Sequence, residues 1–173
     1  MNETTKKNET QDLKISNKHF EIVLKISLII GIIIVSGFII YYVLTPEPGY
    51  VTFGILNENQ EAQNYPTNAM VNETISFYVT VDNKMNREFS FRIEVLKGDN
   101  ETIVNSSGSI NALSYFNTTK MTLLDNQFWI SEILNISFSQ SGANQRIIVE
   151  LWEIKNEVEE FYSNLYLWLN ITS

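Results

Sequence analysis

The sequence has 173 residues, of which 44% are hydrophobic, 12% aromatic and only 18% charged, a composition too apolar for a disordered chain. It contains no cysteine, which excludes disulfides. Its one histidine, His19, precedes the long apolar segment, so no histidine is available for catalysis or metal binding after that segment. After residue 25 the chain has seven basic and 16 acidic residues, a formal charge of −9, so a nucleic-acid partner is not expected.

The first predicted element is a transmembrane helix at residues 26–44, "ISLIIGIIIVSGFIIYYVL", which follows a tail at residues 1–25. About 20 apolar residues are enough to cross a lipid bilayer as a helix. Five lysines precede this segment, and the next basic residue after it is Lys84. The positive-inside rule therefore predicts a single-pass protein of the cell membrane, with a cytoplasmic N-terminus and an extracellular C-terminal domain.

A cleaved signal peptide is the competing interpretation of the same segment. It would require an apolar stretch of about 7–15 residues and a small-x-small cleavage site. The sequence "YYVLTPEPG" offers no such site, and the apolar stretch is longer. An uncleaved anchor is therefore favoured, followed by a short stalk at residues 45–50 in which Pro46 and Pro48 stop the helix and Gly49 permits the turn into the first strand.

Residues 51–173 are predicted to form strands, because apolar and polar residues alternate in several segments. Examples are "ETISFYVTV" and "FSFRIEV", and the pattern recurs in "EILNISFS", "RIIVELWEI" and "YSNLYLWLNI". Turn signals such as "LKGDNET" and "QSGANQ" separate these runs. The pattern predicts an all-β domain, an antiparallel β-sandwich of about seven to eight strands.

Six glycosylation sequons lie in the predicted outer domain, and two more, at Asn2 and Asn8, precede the membrane segment. The outer asparagines are Asn72, Asn100, Asn105, Asn117, Asn135 and Asn170. A chain of this composition would contain about three sequons by chance. Strand alternation places Asn135 and Asn170 on outward faces, so covalent N-glycans are expected at several outer sites. The simpler interpretation is that polar residues merely populate exposed positions.

Three aromatic residues form a candidate recognition surface. Tyr166 and Trp168 alternate outward on the last predicted strand, and Trp152 faces the same way on its neighbour. Such a strip can stack on sugars or contact a protein. A loop can equally cover it, or it can be the second buried face of a central strand.

No residues predict catalysis, a metal site or a cofactor. The acidic segment "NEVEE" contains Glu157, Glu159 and Glu160, whose oxygens suit Ca²⁺, but it lacks the spacing of a dedicated calcium loop. A solvated hairpin turn is the favoured interpretation. With neither histidine nor cysteine in the outer domain, we do not expect an enzyme.

Three segments together resemble a known family: "AQNYPTNAMVNETISFYVTVDNK", "DNQFWISEILNISFSQSGANQRIIVELWEI" and "FYSNLYLWLNIT". They are similar to the ectodomain of archaeal membrane proteins that carry the sixteen-sixteen domain of unknown function. The resemblance covers roughly residues 50–172. It implies an archaeal source and an extracytoplasmic Ig-like β domain, and it transfers no functional residue.

The sequence as a whole favours a non-catalytic cell-surface interaction or structural module. Its expected partners are the lipid bilayer and other cell-envelope or membrane proteins. The alternative is a carbohydrate-binding module that uses the aromatic strand face.

Overall fold

The computed structural model describes residues 3–45 and 48–173, with side chains described for residues 18–45 and 48–173. The chain divides into two compact units, an N-terminal unit that ends at Glu47 and a β unit, Pro48–Ser173. Pro46, which was assigned to the stalk, lies outside the described residues.

The N-terminal unit is one helix, α1 (Glu3–Leu44). Its part from Lys18 to Leu44 is the single helical segment of the described residues that is long and apolar enough to cross a membrane. The helix begins well before residue 26, because the preceding tail contains no proline or glycine that would break it. The tail is thus a continuation of the apolar helix.

The β unit contains 12 strands, more than the seven to eight predicted. Most of the additional strands have only three residues, too few for an alternating pattern to be recognised, and β7 has five. The strands are β1 (Tyr50–Leu56), β2 (Asn68–Met70), β3 (Ile75–Lys84), β4 (Phe89–Gly98), β5 (Ile103–Asn105), β6 (Gly108–Ile110), β7 (Leu113–Asn117), β8 (Met121–Leu123), β9 (Phe128–Ile130), β10 (Leu134–Ile136), β11 (Gly142–Lys155) and β12 (Val158–Thr172).

The strands form two sheets and one separate hairpin. In the first sheet β3 is central, with β1 on one side and both β9 and β10 on the other. The second sheet has the order β2-β12-β11-β4-β7, and β8 also pairs with β4. All these pairs are antiparallel except β12 with β2. Strands β5 and β6 pair only with each other, so they are free to lie over a sheet face.

The two sheets bury one core between them, as the alternation predicts for an Ig-like β-sandwich. Phe77 and Val79 of β3 face Phe91 and Ile93 of β4, and all four side chains are at most 1% exposed. The ring of Phe91 also meets the ring of Trp129 edge to face, with centroids 5.8 Å apart. Burial of each such large side chain stabilises the fold by about 2 kcal/mol.

A tight turn joins the two longest strands, β11 and β12. Asn156 and Glu157 both have positive φ, 51° and 63°. Two successive left-handed residues form the two-residue turn whose twist matches antiparallel strands. The acidic segment is therefore a hairpin turn, and this turn fixes the register in which β12 lies beside β11.

Gly49 is required by packing rather than by a turn. A Cβ at this position would come within 2.5 Å of the Met85 backbone. The first strand begins at Tyr50, one residue earlier than expected.

Candidate recognition groove

The register between β11 and β12 brings the three predicted aromatic residues to one face of the second sheet. Trp168 lies opposite Arg146, and Trp152 lies opposite Phe161. Tyr166 and Trp168 are two residues apart on β12 and therefore point to the same side. This face is directed away from the core, and we call it the outer face.

The β5–β6 hairpin covers one end of the outer face. The Ser109 backbone N–H donates to Glu150 Oε1 at 2.6 Å, and the Trp152 indole Nε1–H donates to Glu150 Oε2 at 3.1 Å. Gly108 approaches the indole so closely that an added Cβ would lie 3.0 Å from it. Glu150 is consequently 2% exposed, and Trp152 is half-buried. Trp152 shares the predicted face but does not join the exposed strip.

An ion-pair network completes the cover over Trp152. The Arg92 guanidinium lies 5.0 Å from the Trp152 ring centroid and bonds Glu159 at 2.7 Å and Glu94 at 2.9 Å. The hydrogen bond to Glu159 raises the pKa of Arg92 and holds the pKa of Glu159 below its usual value. The hairpin and the ion-pair network therefore both cover Trp152 at this end of the outer face.

The other end of the outer face is open. Tyr166 and Trp168 are each 46% exposed, and their rings meet edge to face with centroids 5.8 Å apart. The Arg146 guanidinium lies 4.1 Å from the Trp168 ring centroid and donates through Nη1 to the Thr102 carbonyl at 3.1 Å. We call the depression between the hairpin and this part of β12, about 580 Å³ in volume, the aromatic groove.

The lining of the aromatic groove combines ring faces with neutral polar groups. Ser106 of the hairpin and Ser163 and Asn164 of β12 contribute hydroxyl and amide groups beside Tyr166 and Trp168. Aromatic surface with a few polar groups suits a ligand that has both apolar ring faces and hydroxyl groups.

Five of the six sequon asparagines are exposed, and Asn105 is half-buried. Asn105 lies on the hairpin wall of the aromatic groove, and its Oδ1 accepts from the Ser107 N–H at 2.7 Å. The sequence did not indicate that this sequon and Trp168 share a groove, because they are more than 60 residues apart in the chain. A glycan on Asn105 would occupy the groove.

A second depression lies at the edge of the sandwich, between β7 and β10. It has a volume of about 480 Å³ and is lined mainly by apolar side chains, among them Tyr115, Phe116 and Leu134, together with the sequon residue Asn135. The Tyr115 hydroxyl donates to the Asn135 carbonyl at 2.9 Å and so links the two sheets. All five residues of β7 are exposed and none is charged. The alternation in "EILNISFS" predicts a strand that contains β10, but nothing in the sequence indicates that β7 lies beside it, so the sequence did not reveal this surface, which we call the edge groove.

The carboxylates of the acidic segment point to separate partners. Glu157 pairs with Lys120 at 2.7 Å, Glu160 with Lys155 at 3.0 Å, and Glu159 with Arg92. Within the described ranges, no group of three or more histidine, cysteine or acidic residues could hold a metal ion.

Comparisons with known proteins give a family. A family model described as "Domain of unknown function (DUF1616)" matches residues 45–170. No curated protein matches the chain. The chain is similar to the CARDB domain of a Pyrococcus furiosus protein, whose structure was solved in complex with di-metal ions. The identity is 15%, the similarity covers 75% of this chain and 93% of that one, and the TM-score is 0.45. It is also similar to Spo0M, a sporulation control protein from Bacillus subtilis, at 6% identity, covering 72% and 50%, with a TM-score of 0.46.

Proposed function

The chain belongs to the DUF1616 family, and we propose that it is a membrane-anchored, non-catalytic recognition module that binds carbohydrate in the aromatic groove. Its β unit lies outside an archaeal cell, held at the surface by the apolar part of α1. It binds its ligand without transforming it.

The open end of the outer face carries this proposal. Tyr166 and Trp168 remain 46% exposed in a domain whose other end of the same face is covered by a hairpin. Exposed aromatic rings lose hydrophobic stabilisation unless a ligand covers them. Sugar rings present apolar C–H faces and hydroxyl edges, which match the aromatic rings and the polar groups of Ser163 and Asn164.

Binding of the full-length chain in lipid nanodiscs to an oligosaccharide array tests this function. We expect sugar-dependent binding that is lost in Trp168→Ala. Phe128→Ala is the matched control, because Phe128 is 59% exposed but lies on β9 in the first sheet. Binding that survives Trp168→Ala, or that is lost equally in Phe128→Ala, would contradict the proposed site.

The orientation and the glycans form a second part of the proposal. The lysines that precede α1's apolar part favour a cytoplasmic N-terminus, and exposure of Asn72, Asn100, Asn117, Asn135 and Asn170 makes these residues accessible for N-glycans. Glycopeptide mass spectrometry of the native protein should find sugar at several of these sites and least at half-buried Asn105. Sugar on Asn8 would place the N-terminus outside and contradict the orientation.

A protein partner at the edge groove is the second candidate function. The exposed edge of β7, which has no charged residue, can add a strand from an envelope or membrane protein, while Tyr115 and Phe116 offer apolar contacts. Crosslinking in native membranes from a photoreactive residue at position 113 should capture one stoichiometric partner. A matched probe at exposed Tyr50 of β1 should not capture it. Recovery of the same proteins from both positions would contradict docking at the edge groove.

A further inference from the structure

The charges around the aromatic groove differ from those of the rest of the β unit. Of its seven basic residues, five form ion pairs with described carboxylates at 4.0 Å or less: Lys84, Arg87, Arg92, Lys120 and Lys155. Arg146 and Lys97 form none with any described carboxylate. Of these two residues, Arg146 lines the aromatic groove.

The groove itself contains no carboxylate. Its ten lining residues include one cation, Arg146, and no acidic side chain, although the chain after residue 25 has 16 acidic residues. Glu150, which lies four residues from Arg146 on β11, is sealed beneath the hairpin by its two hydrogen bonds, and Arg146 forms no ion pair with a described carboxylate. An anion in the groove would therefore meet a positive group without a competing carboxylate at contact distance.

Arg146 has donor groups left for a ligand. Nη1 donates to the Thr102 carbonyl, and stacking on Trp168 fixes the guanidinium plane. Neither Nε nor Nη2 has a hydrogen-bond partner among the described residues, and Nε is buried. A planar guanidinium held in this way is pre-organised to bind a carboxylate or sulfate.

We propose that the aromatic groove selects acidic saccharides, with a uronic-acid carboxylate or a sugar sulfate on Arg146 and the sugar ring against Tyr166 and Trp168. This inference rests on the proposed carbohydrate-binding function and adds the charge of the ligand. The guanidinium supplies charge selectivity, and the rings supply affinity that does not depend on charge.

An array that pairs acidic and neutral forms of each sugar tests the selectivity. The full-length chain in nanodiscs is titrated with uronic-acid and sulfated oligosaccharides and with their methyl-esterified or desulfated counterparts. We expect at least one acidic form to bind about tenfold more tightly than its neutral counterpart. Arg146→Gln should abolish this ratio, and Arg146→Lys should keep part of it.

Lys97→Gln is the matched control, because Lys97 also lies over an aromatic ring, Tyr115, at 4.3 Å but outside the groove. It should keep the full ratio. The ratio of acidic to neutral binding is measured within each variant. A displaced hairpin that weakens the binding of both forms equally therefore leaves the ratio unchanged. In the unaltered chain, the ratio should also fall as salt rises from 50 to 500 mM, while binding of the neutral form stays constant.

The outcomes separate the two proposals. Equal binding of acidic and neutral forms, a ratio unchanged in Arg146→Gln, or a ratio insensitive to salt would overturn the acidic selectivity and leave carbohydrate binding intact. Failure of every acidic and neutral sugar to bind would overturn both.

Discussion

The two ends of the outer face carry the same pair of residues in different surroundings. At the closed end Arg92 lies over Trp152 at 5.0 Å, and at the open end Arg146 lies over Trp168 at 4.1 Å. Arg92 is neutralised by Glu94 and Glu159, and its tryptophan is half-buried beneath the hairpin. Arg146 forms no ion pair with a described carboxylate, and Trp168 is 46% exposed.

If the proposed function holds, this difference divides one strand face between stability and binding. The β5–β6 hairpin turns the closed end into a small second core, which has a buried carboxylate, Glu150, as its central acceptor. The open end has the aromatic rings and the cation, but the hairpin does not cover them. We therefore expect substitutions at the closed end to change the free energy of unfolding, and substitutions at the open end to change binding.

The largest expected change in stability is that of Glu150→Ala. Two partly buried donors, the Ser109 N–H and the Trp152 indole N–H, would lose their acceptor. Leaving them unpaired should lower the free energy of unfolding by about 3 kcal/mol. Denaturant unfolding of the full-length chain in detergent micelles, followed by tryptophan fluorescence, measures the change. A loss below about 0.5 kcal/mol would mean that the hairpin does not depend on Glu150.

Gly108→Ala should have the next largest effect and lower the free energy of unfolding by about 2 kcal/mol in the same measurement. Gly108 has φ +105°, and an added Cβ would lie 3.0 Å from the Trp152 ring. Gly142→Ala is the matched control, because its φ is not in the left-handed region and its Cβ would meet only the flexible Gln145 side chain. Equal losses in the two variants would contradict a closely packed hairpin.

Trp168→Ala should change stability by less than about 1 kcal/mol, since the side chain is partly exposed and lies outside the core. Its effect on sugar binding should be far larger than its effect on unfolding. Trp152→Ala should have a larger effect on unfolding than on sugar binding. A Trp168→Ala variant that unfolds as easily as Trp152→Ala would show that the open end is part of the structural core.

The smallest expected effect is that of Glu159→Gln, and it depends on pH. The pKa of Glu159 in the folded chain lies below its usual value of 4.5, because Arg92 stabilises the charged form. The ion pair therefore stabilises the fold above about pH 4.5 and loses its effect as pH falls through the folded pKa.

At pH 7 the pair should contribute about 0.5 kcal/mol, the scale of a partly exposed ion pair. The difference in unfolding free energy between the unaltered chain and Glu159→Gln should disappear below the folded pKa. Glu58→Gln, which removes a carboxylate that has no ion pair among the described residues, controls for net charge. A difference that does not shrink as the pH falls below 4.5 would contradict this account.

The long strands of the fold were predictable from the sequence. In β3, β4, β11 and β12 the alternation is long enough to assign the inward faces, such as Phe77, Phe91, Leu151 and Leu169, all of which are buried. Among the three-residue strands, β10 falls within the alternating segment "EILNISFS", whereas the others were not predictable, because their pairing is decided by neighbours in the fold rather than by a local pattern.

The division of the outer face was not predictable either. Alternation assigns Trp152, Tyr166 and Trp168 to one side of a sheet, but it cannot say which residues a distant segment will cover. The covering hairpin contains "VNSSGSI", whose serines and single glycine suggest only a loop. Its contact with Glu150 joins residues that are 41 positions apart. A carboxylate in the middle of "RIIVELWEI" is the one signal that such a cover was needed, because a buried glutamate between apolar neighbours requires donors.

Fluorine NMR of the full-length chain labelled with 5-fluorotryptophan tests the central claim most directly. The chain has three tryptophans, one partly buried against the core (Trp129), one under the hairpin (Trp152) and one in the groove (Trp168), and single Trp→Phe variants assign the three signals. On addition of an acidic oligosaccharide that binds, the account predicts a shift of the Trp168 signal alone. A spectrum in which Trp168 does not move, or in which Trp152 moves instead, would contradict it.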